Sequence, residues 1–167
     1  MSYYRAGLAA LIILIIFYAC KKNDDLLSHS GEGYWSLDTD QYTITKTERT
    51  NNSDYFILSG KESASSSNIL QLYFKSQPTA NSKYKVVQFE ENVPLSSNQI
   101  GIKVHIPTTG TYSSTGIADN RTWLPAPDAD VSINAGKIKV DIPKMTTIIM
   151  TSRYLDTVMF QGILIEK

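Results

Sequence analysis

The sequence predicts an all-β fold for residues 34–167: an antiparallel β-sandwich of about 8–10 strands, with a small barrel as the alternative. Three observations lead there. Apolar residues recur at every second position, the period of half-buried strands. Breaks rich in Ser, Pro, Asn and Gly interrupt these segments at strand-length intervals. No stretch after Cys20 keeps a helical period over three turns.

The elements follow in order. "QYTITKT" sets Tyr42 and Ile44 against Thr43, Thr45 and Thr47. "DYFILSG" is almost continuously apolar, as expected of a strand covered on both faces. "NILQLYFKS" turns Leu70, Leu72 and Phe74 to one side. "NQIGIKVHIP" puts Ile100, Ile102, Val104 and Ile106 inside, and Gly101, Lys103 and His105 outside. "VSINAGKIKV" reads as a hairpin in which Asn134 and Gly136 tolerate positive φ. Its second arm continues as "KIKVDIP", with Ile138, Val140 and Ile142 facing in. "MTTIIMTSRYL" fits either a strand or a short helix. "VMFQGILIE" reads as a second strand covered on both faces, with Gly162 marking a bulge.

The front of the chain has a different character. Thirteen uncharged residues, Ala6–Tyr18, follow Arg5 and precede Ala19 and Cys20. A basic start, a short apolar core and a small residue before a cut site describe an export signal. As a helix the apolar run would reach only about 20 Å, short of a hydrocarbon core of roughly 30 Å. The organisation expected is a signal peptide over 1–19, a flexible polar linker over 20–33 and one β-domain over 34–167. Cys20 is the single cysteine, so no intrachain disulfide forms.

"FYAC" resembles the lipobox of bacterial lipoproteins, in which the cysteine after the cut takes a diacylglycerol on its sulfur. "KKNDDLLSHSGEG" is similar to the charged linker of lipoproteins from Bacteroidota. The resemblance implies lipid attachment at Cys20 and anchoring in the outer membrane, with the cell surface and the periplasmic face both open.

Sixteen Lys and Arg balance sixteen Asp and Glu, which disfavours nucleic acid as a partner. A monomer is expected. Catalytic signatures for zinc proteases, serine hydrolases and phosphate-binding loops are absent from the sequence. With two histidines and a committed cysteine, no Cys/His metal cluster and no cofactor are expected. The acid pairs Asp38/Asp40 and Asp128/Asp130 fall at turns or strand ends, where Asp bonds to local backbone; Glu90/Glu91 forms a third pair. A hydrolase using paired carboxylates is the least favoured reading.

One stretch stands apart. "PTTGTYSSTGIADNRTWLPAPD" is the longest irregular segment and concentrates Tyr112, Asp119, Arg121, Trp123 and Asp128. Aromatic faces beside a few hydrogen-bonding groups suit recognition of a carbohydrate or a protein partner, so these five are the ligand-binding candidates. The competing expectation is a cover loop, with Trp123 plugging the core. Gly33-Tyr34-Trp35 resembles the G-x-W opening of lipocalins, which implies the alternative of a barrel carrying a small apolar ligand. The function expected is binding rather than catalysis.

Overall fold

The computed structural model describes residues 32–107, 110–113, 118–119, 122–123, 127–150 and 155–167. Among them every regular element is a strand: β1 (Gly33–Leu37), β2 (Asp40–Ile44), β3 (Lys46–Asn51), β4 (Phe56–Lys61), β5 (Ile69–Phe74), β6 (Ser82–Val86) and β7 (Gln99–Ile106). The second half adds β8 (Gly110–Ser113), β9 (Ala118–Asp119), β10 (Thr122–Trp123), β11 (Asp128–Asn134), β12 (Lys137–Met150) and β13 (Leu155–Ile165). The protein is all-β, as the alternation predicts.

One sheet holds nearly all of it, in the order β2-β1-β13-β12-β11-β6-β7-β5-β4-β3, with β8 beside β7. Its two ends, β2 and β3, are halves of a single bent strand joined through Thr45, whose N–H donates to Lys61 O at 2.9 Å. The same run of chain therefore pairs first with β1 and then with β4, and the sheet is nearly closed and barrel-like. The two residues after β13, Glu166 and Lys167, continue past the start of β1 and bond directly to β3. There the Arg49 guanidinium grips both carboxylate oxygens of Glu166 and donates to Gly136 O at 2.7 Å. Glu166 Oε2 also accepts the Ile138 N–H at 2.8 Å.

The interior follows the period of two. Leu70, Leu72 and Phe74, then Ile100, Ile102, Val104 and Ile106, then Ile138, Val140 and Ile142 all point into one buried cluster with Trp35, Phe56 and Phe160. β4 is buried on both faces, as its apolar run predicts. β13 departs from that expectation: Val158, Phe160, Gly162 and Leu164 are buried while the residues between them are half-exposed or exposed, so only its inner face is covered.

Three further details correct the sequence reading, and a fourth decides between alternatives it left open. The sheet is mixed, because β6 and β7 run parallel through Lys85↔Gln99 and Val86↔Ile100. The register shift lies on β12, between Ile142 and Met145, opposite Gln161, rather than at Gly162. Pro143 sits in that shift, where its missing N–H costs no ladder bond. Gly162 instead lets β13 lie close to β1, since a Cβ there would stand 3.1 Å from the Trp35 Cβ. Third, the β11–β12 turn takes its positive φ at Ala135 (50°) and Gly136 (77°), with Asn134 still paired to Lys137. Finally, the ambiguous segment after Lys144 is strand as far as Met150.

Candidate functional site

The five candidates chosen from the sequence do not form one loop. Tyr112 lies on β8 with its Cα opposite Val104. Asp119 pairs with Thr122, and Trp123 with Ala118, in the small β9–β10 ladder. The region expected to be irregular is thus partly strand, because short polar runs pair where a neighbouring strand offers an edge. Arg121, and the side chains of Tyr112, Asp119 and Trp123, lie outside the described residues, as does Cys20. Asp128 opens β11 in a different ladder, exposed and opposite Lys85.

Members of each acid pair bond within the fold, though Asp38 and Asp130 do so to partners distant in sequence rather than to the local backbone expected. Asp38 has φ 49° in the β1–β2 turn, and its carboxylate accepts the Met159 N–H at 2.8 Å. Asp130 lies opposite Lys83 and 3.5 Å from its Nζ. Glu90 accepts from Gln88 at 2.7 Å, and Glu91 pairs with Lys103 at 2.5 Å. Among the described residues no group of three or more His, Cys, Asp or Glu stands close enough to hold a metal.

A different site emerges on the outer wall, where the chain must cross from β6 to β7. A parallel connection needs about a dozen residues, and residues 87–98 supply them. Their apolar members fold back onto the sheet instead of pointing to water. Phe89 lies flat on Tyr73, with ring centroids 4.1 Å apart and planes 26° apart. It gets that close because position 101 is glycine; any Cβ there would collide with the Phe89 ring. Tyr55 meets both rings edge-on, at 5.8 and 5.5 Å. With Ile57 and Leu95 they form a second buried cluster, separated from the interior by the sheet itself.

The crossover is also tied by polar bonds. The Tyr55 hydroxyl reaches the carbonyls of Glu91 (3.1 Å) and Val93 (3.0 Å). The β3–β4 turn that carries Tyr55 is itself braced, because Asn52 Oδ1 accepts from Asp54 N at 2.9 Å and Tyr55 N at 2.6 Å. Between the braced turn and the strap lies an open cleft of about 500 Å3. Ser53, Asp54 and Tyr55 line one side, Lys75 follows the end of β5, and Glu91, Asn92, Pro94 and Leu95 belong to the strap.

Its electrostatics are mixed. The Lys103 ammonium holds the Glu91 carboxyl below its ordinary range, chiefly through their hydrogen bond. Burial, and then the Asp54 and Glu91 charges, push the Tyr55 phenol up, so it stays neutral and keeps its donor. Among the described residues Lys75 and Asn92 have no side-chain partner, and the Asp54 carboxylate accepts from Ser53 alone, at 2.9 Å. A cleft so built can bind through its unspent groups. The sequence reading missed it because "ENVPLSSN" looks like an ordinary break; the legible signal was Val87, Phe89 and Leu95, apolar residues set inside a polar connection.

No family model, curated protein or solved structure matches this chain.

Proposed function

We propose that this chain is an outer-membrane lipoprotein, tethered through Cys20, whose β-domain is a binding module for a carbohydrate or a protein partner. The observation that carries the binding reading is the outer-wall cleft. Tyr55 on its lining packs edge-on against the stacked Tyr73 and Phe89 rings behind it, and its rim carries Asp54, Lys75 and Asn92, which keep hydrogen-bonding capacity among the described residues. Binding sites take this form, a rigid apolar base with a few convergent polar groups. A hydrolytic reading gains nothing here. The two carboxylates on the cleft are Asp54 and Glu91, and Glu91 is pushed down, whereas a general acid needs its pKa raised. The tether rests on the sequence around Cys20.

The tether is tested by expressing wild type and Cys20→Ala in a bacterial host and fractionating membranes. Wild type should appear in the detergent-extracted membrane fraction and Cys20→Ala should leave it or stay unprocessed; identical soluble behaviour of both rules the tether out.

A second reading, a barrel carrying a small apolar ligand, is favoured by two observations. The sheet is nearly closed, and Trp35, fully buried inside it, has an indole N–H with no partner among the described residues. A buried donor of this kind calls for an acceptor, from water or from a ligand. Against it, Trp35, Phe56, Phe74 and Phe160 fill the interior around that point. Titrating with a fluorescent fatty acid separates the readings: saturable binding abolished by Trp35→Phe supports a carrier, and absence of binding removes it.

A further inference from the structure

We infer that the outer-wall cleft takes a small zwitterionic peptide, its ammonium against Asp54 and its carboxylate against Lys75. This rests on the binding-module reading but moves its ligand from a carbohydrate or a whole protein to a small peptide; it does not depend on the Cys20 tether. Three features of the cleft carry it.

The first is charge. Both signs line one concavity, yet Asp54 and Lys75 form no ion pair with each other or with any other described residue. Glu91, the remaining charged group on the cleft, is already committed to Lys103. A ligand carrying one charge of each sign satisfies both free groups. An anion such as phosphate would meet a single ammonium flanked by two carboxylates, and a metal ion would meet that ammonium. The second is the absence of a stacking platform. Tyr55 is the one aromatic residue on the lining and is only 6% exposed, with its ring held edge-on to Tyr73 and Phe89. Sugars are recognised on open aromatic faces, and this cleft offers none. The third is size and polarity. About 500 Å3 falls within the range of small-molecule sites, roughly 300–1,000 Å3. Pro94, exposed on the strap, supplies an apolar surface for a side chain, and the Asn92 amide, which has no side-chain partner among the described residues, can bond the ligand's own peptide group.

Asp54 and Lys75 belong to different elements, yet they lie at the same end of the sheet. The β4–β5 ladder ends at Phe56↔Phe74, so Tyr55 and Lys75 are the next residues out on each strand, with Asp54 one further. The Asn52 bonds to the Asp54 and Tyr55 N–H groups hold that turn in place, so the two charges are presented on a preorganised rim.

The test uses the purified full-length chain in detergent and calorimetric titration with alanyl-alanine, alanyl-leucine and leucyl-alanine. Each is offered free, N-acetylated, C-amidated and doubly capped. At least one free dipeptide should bind saturably, and removing either charge should weaken it about tenfold, the equivalent of roughly 1.4 kcal/mol. Two exposed substitutions assign the ends. Asp54→Asn should erase the difference between free and N-acetylated ligand, and Lys75→Gln the difference between free and amidated ligand. Equal affinity for all capped forms, or no saturable binding of any free dipeptide, overturns the inference. A parallel titration with a panel of neutral oligosaccharides keeps the two levels apart. Binding there that is weakened by Asn92→Ala sinks the zwitterion assignment and leaves the module reading standing, whereas failure of both panels removes the cleft as a binding site altogether.

Discussion

The wall of this protein has two aromatic clusters, one on each side, and they were built in different ways. The inner cluster, around Trp35, Phe56, Phe74 and Phe160, is assembled from alternate residues of many strands. The outer cluster, Tyr55, Ile57, Tyr73, Phe89 and Leu95, joins the β3–β4 turn and outward residues of β4 and β5 to a single crossover segment. Removing the inner one removes the fold. Taking away the outer one should only unfasten a strap and open the cleft beneath it. Burial depth is the same on both sides, with Phe74 at 0% and Phe89 at 3% exposure, so burial alone does not reveal which cluster carries the barrel. Connectivity does: the inner side chains are held from many strands at once, and the strap from one.

The largest effect should come from the inner side. Val104→Asp puts an unpaired carboxylate into the interior and should cost about 4 kcal/mol or more, read as loss of the cooperative transition in chemical denaturation. Lys103→Asp, one residue away and facing out, should leave the transition largely in place. It removes the partner of Glu91, so its effect belongs at the cleft.

Next comes the strap. Phe89→Ala should cost about 2–4 kcal/mol, toward the lower end because the segment can resettle. Hydrogen exchange is the sharper readout. Amides of 87–98 should lose protection while those of β5 and β7 keep theirs; uniform loss across the sheet would mean that the outer cluster supports the barrel as well. Gly101→Ala should reproduce the pattern, because its Cβ displaces the same ring.

Smaller again is the seam. Arg49→Ala should cost about 1–2 kcal/mol, a figure lowered for the guanidinium's 37% exposure. Hydrogen bonding to Arg49 holds the Glu166 carboxyl below its ordinary range, so its folded pKa lies under its unfolded one. Its stabilisation is therefore full above the ordinary carboxylate pKa of about 4.3 and is lost as pH falls through the lower folded value. Glu166→Gln should be less stable than wild type at neutral pH, and the two should converge in acid. A gap that stays constant down to low pH would show that the carboxylate charge contributes nothing to closure.

The smallest effect has the opposite sign. Ala135 sits at φ 50°, where an L-residue with a Cβ is disfavoured and Asn is tolerated. Ala135→Asn should raise stability by about 0.5–1 kcal/mol without moving either cluster; a loss would mean that the turn relaxes to another type.

How much of this was legible can be judged residue by residue. Ile100, Ile102, Val104 and Ile106 were assigned to the inside from alternation alone, and they are there, because strand pleating sends every second side chain to the same face. The hairpin at 134–136 was readable from Gly136, but the φ assignment to Asn134 failed: the register of pairing, not residue preference, decides which two positions form the turn. Phe89 was legible only as an apolar residue in a polar connection, not in what it packs against. Nothing local says that an aromatic in a Ser- and Pro-rich connection will lie over a glycine twelve positions later in the chain.

The sequence by itself therefore determined the all-β class, the strands with the cleanest alternation and their inward faces, since these depend on local periodicity and the cost of exposing apolar surface. Tertiary structure alone decided that β2 and β3 would close the sheet through Thr45, that β6 and β7 would run parallel, and that 87–98 would cross outside and shape a cleft. Those outcomes depend on which edges meet and which side chains find room, and both are settled only when distant segments pack together.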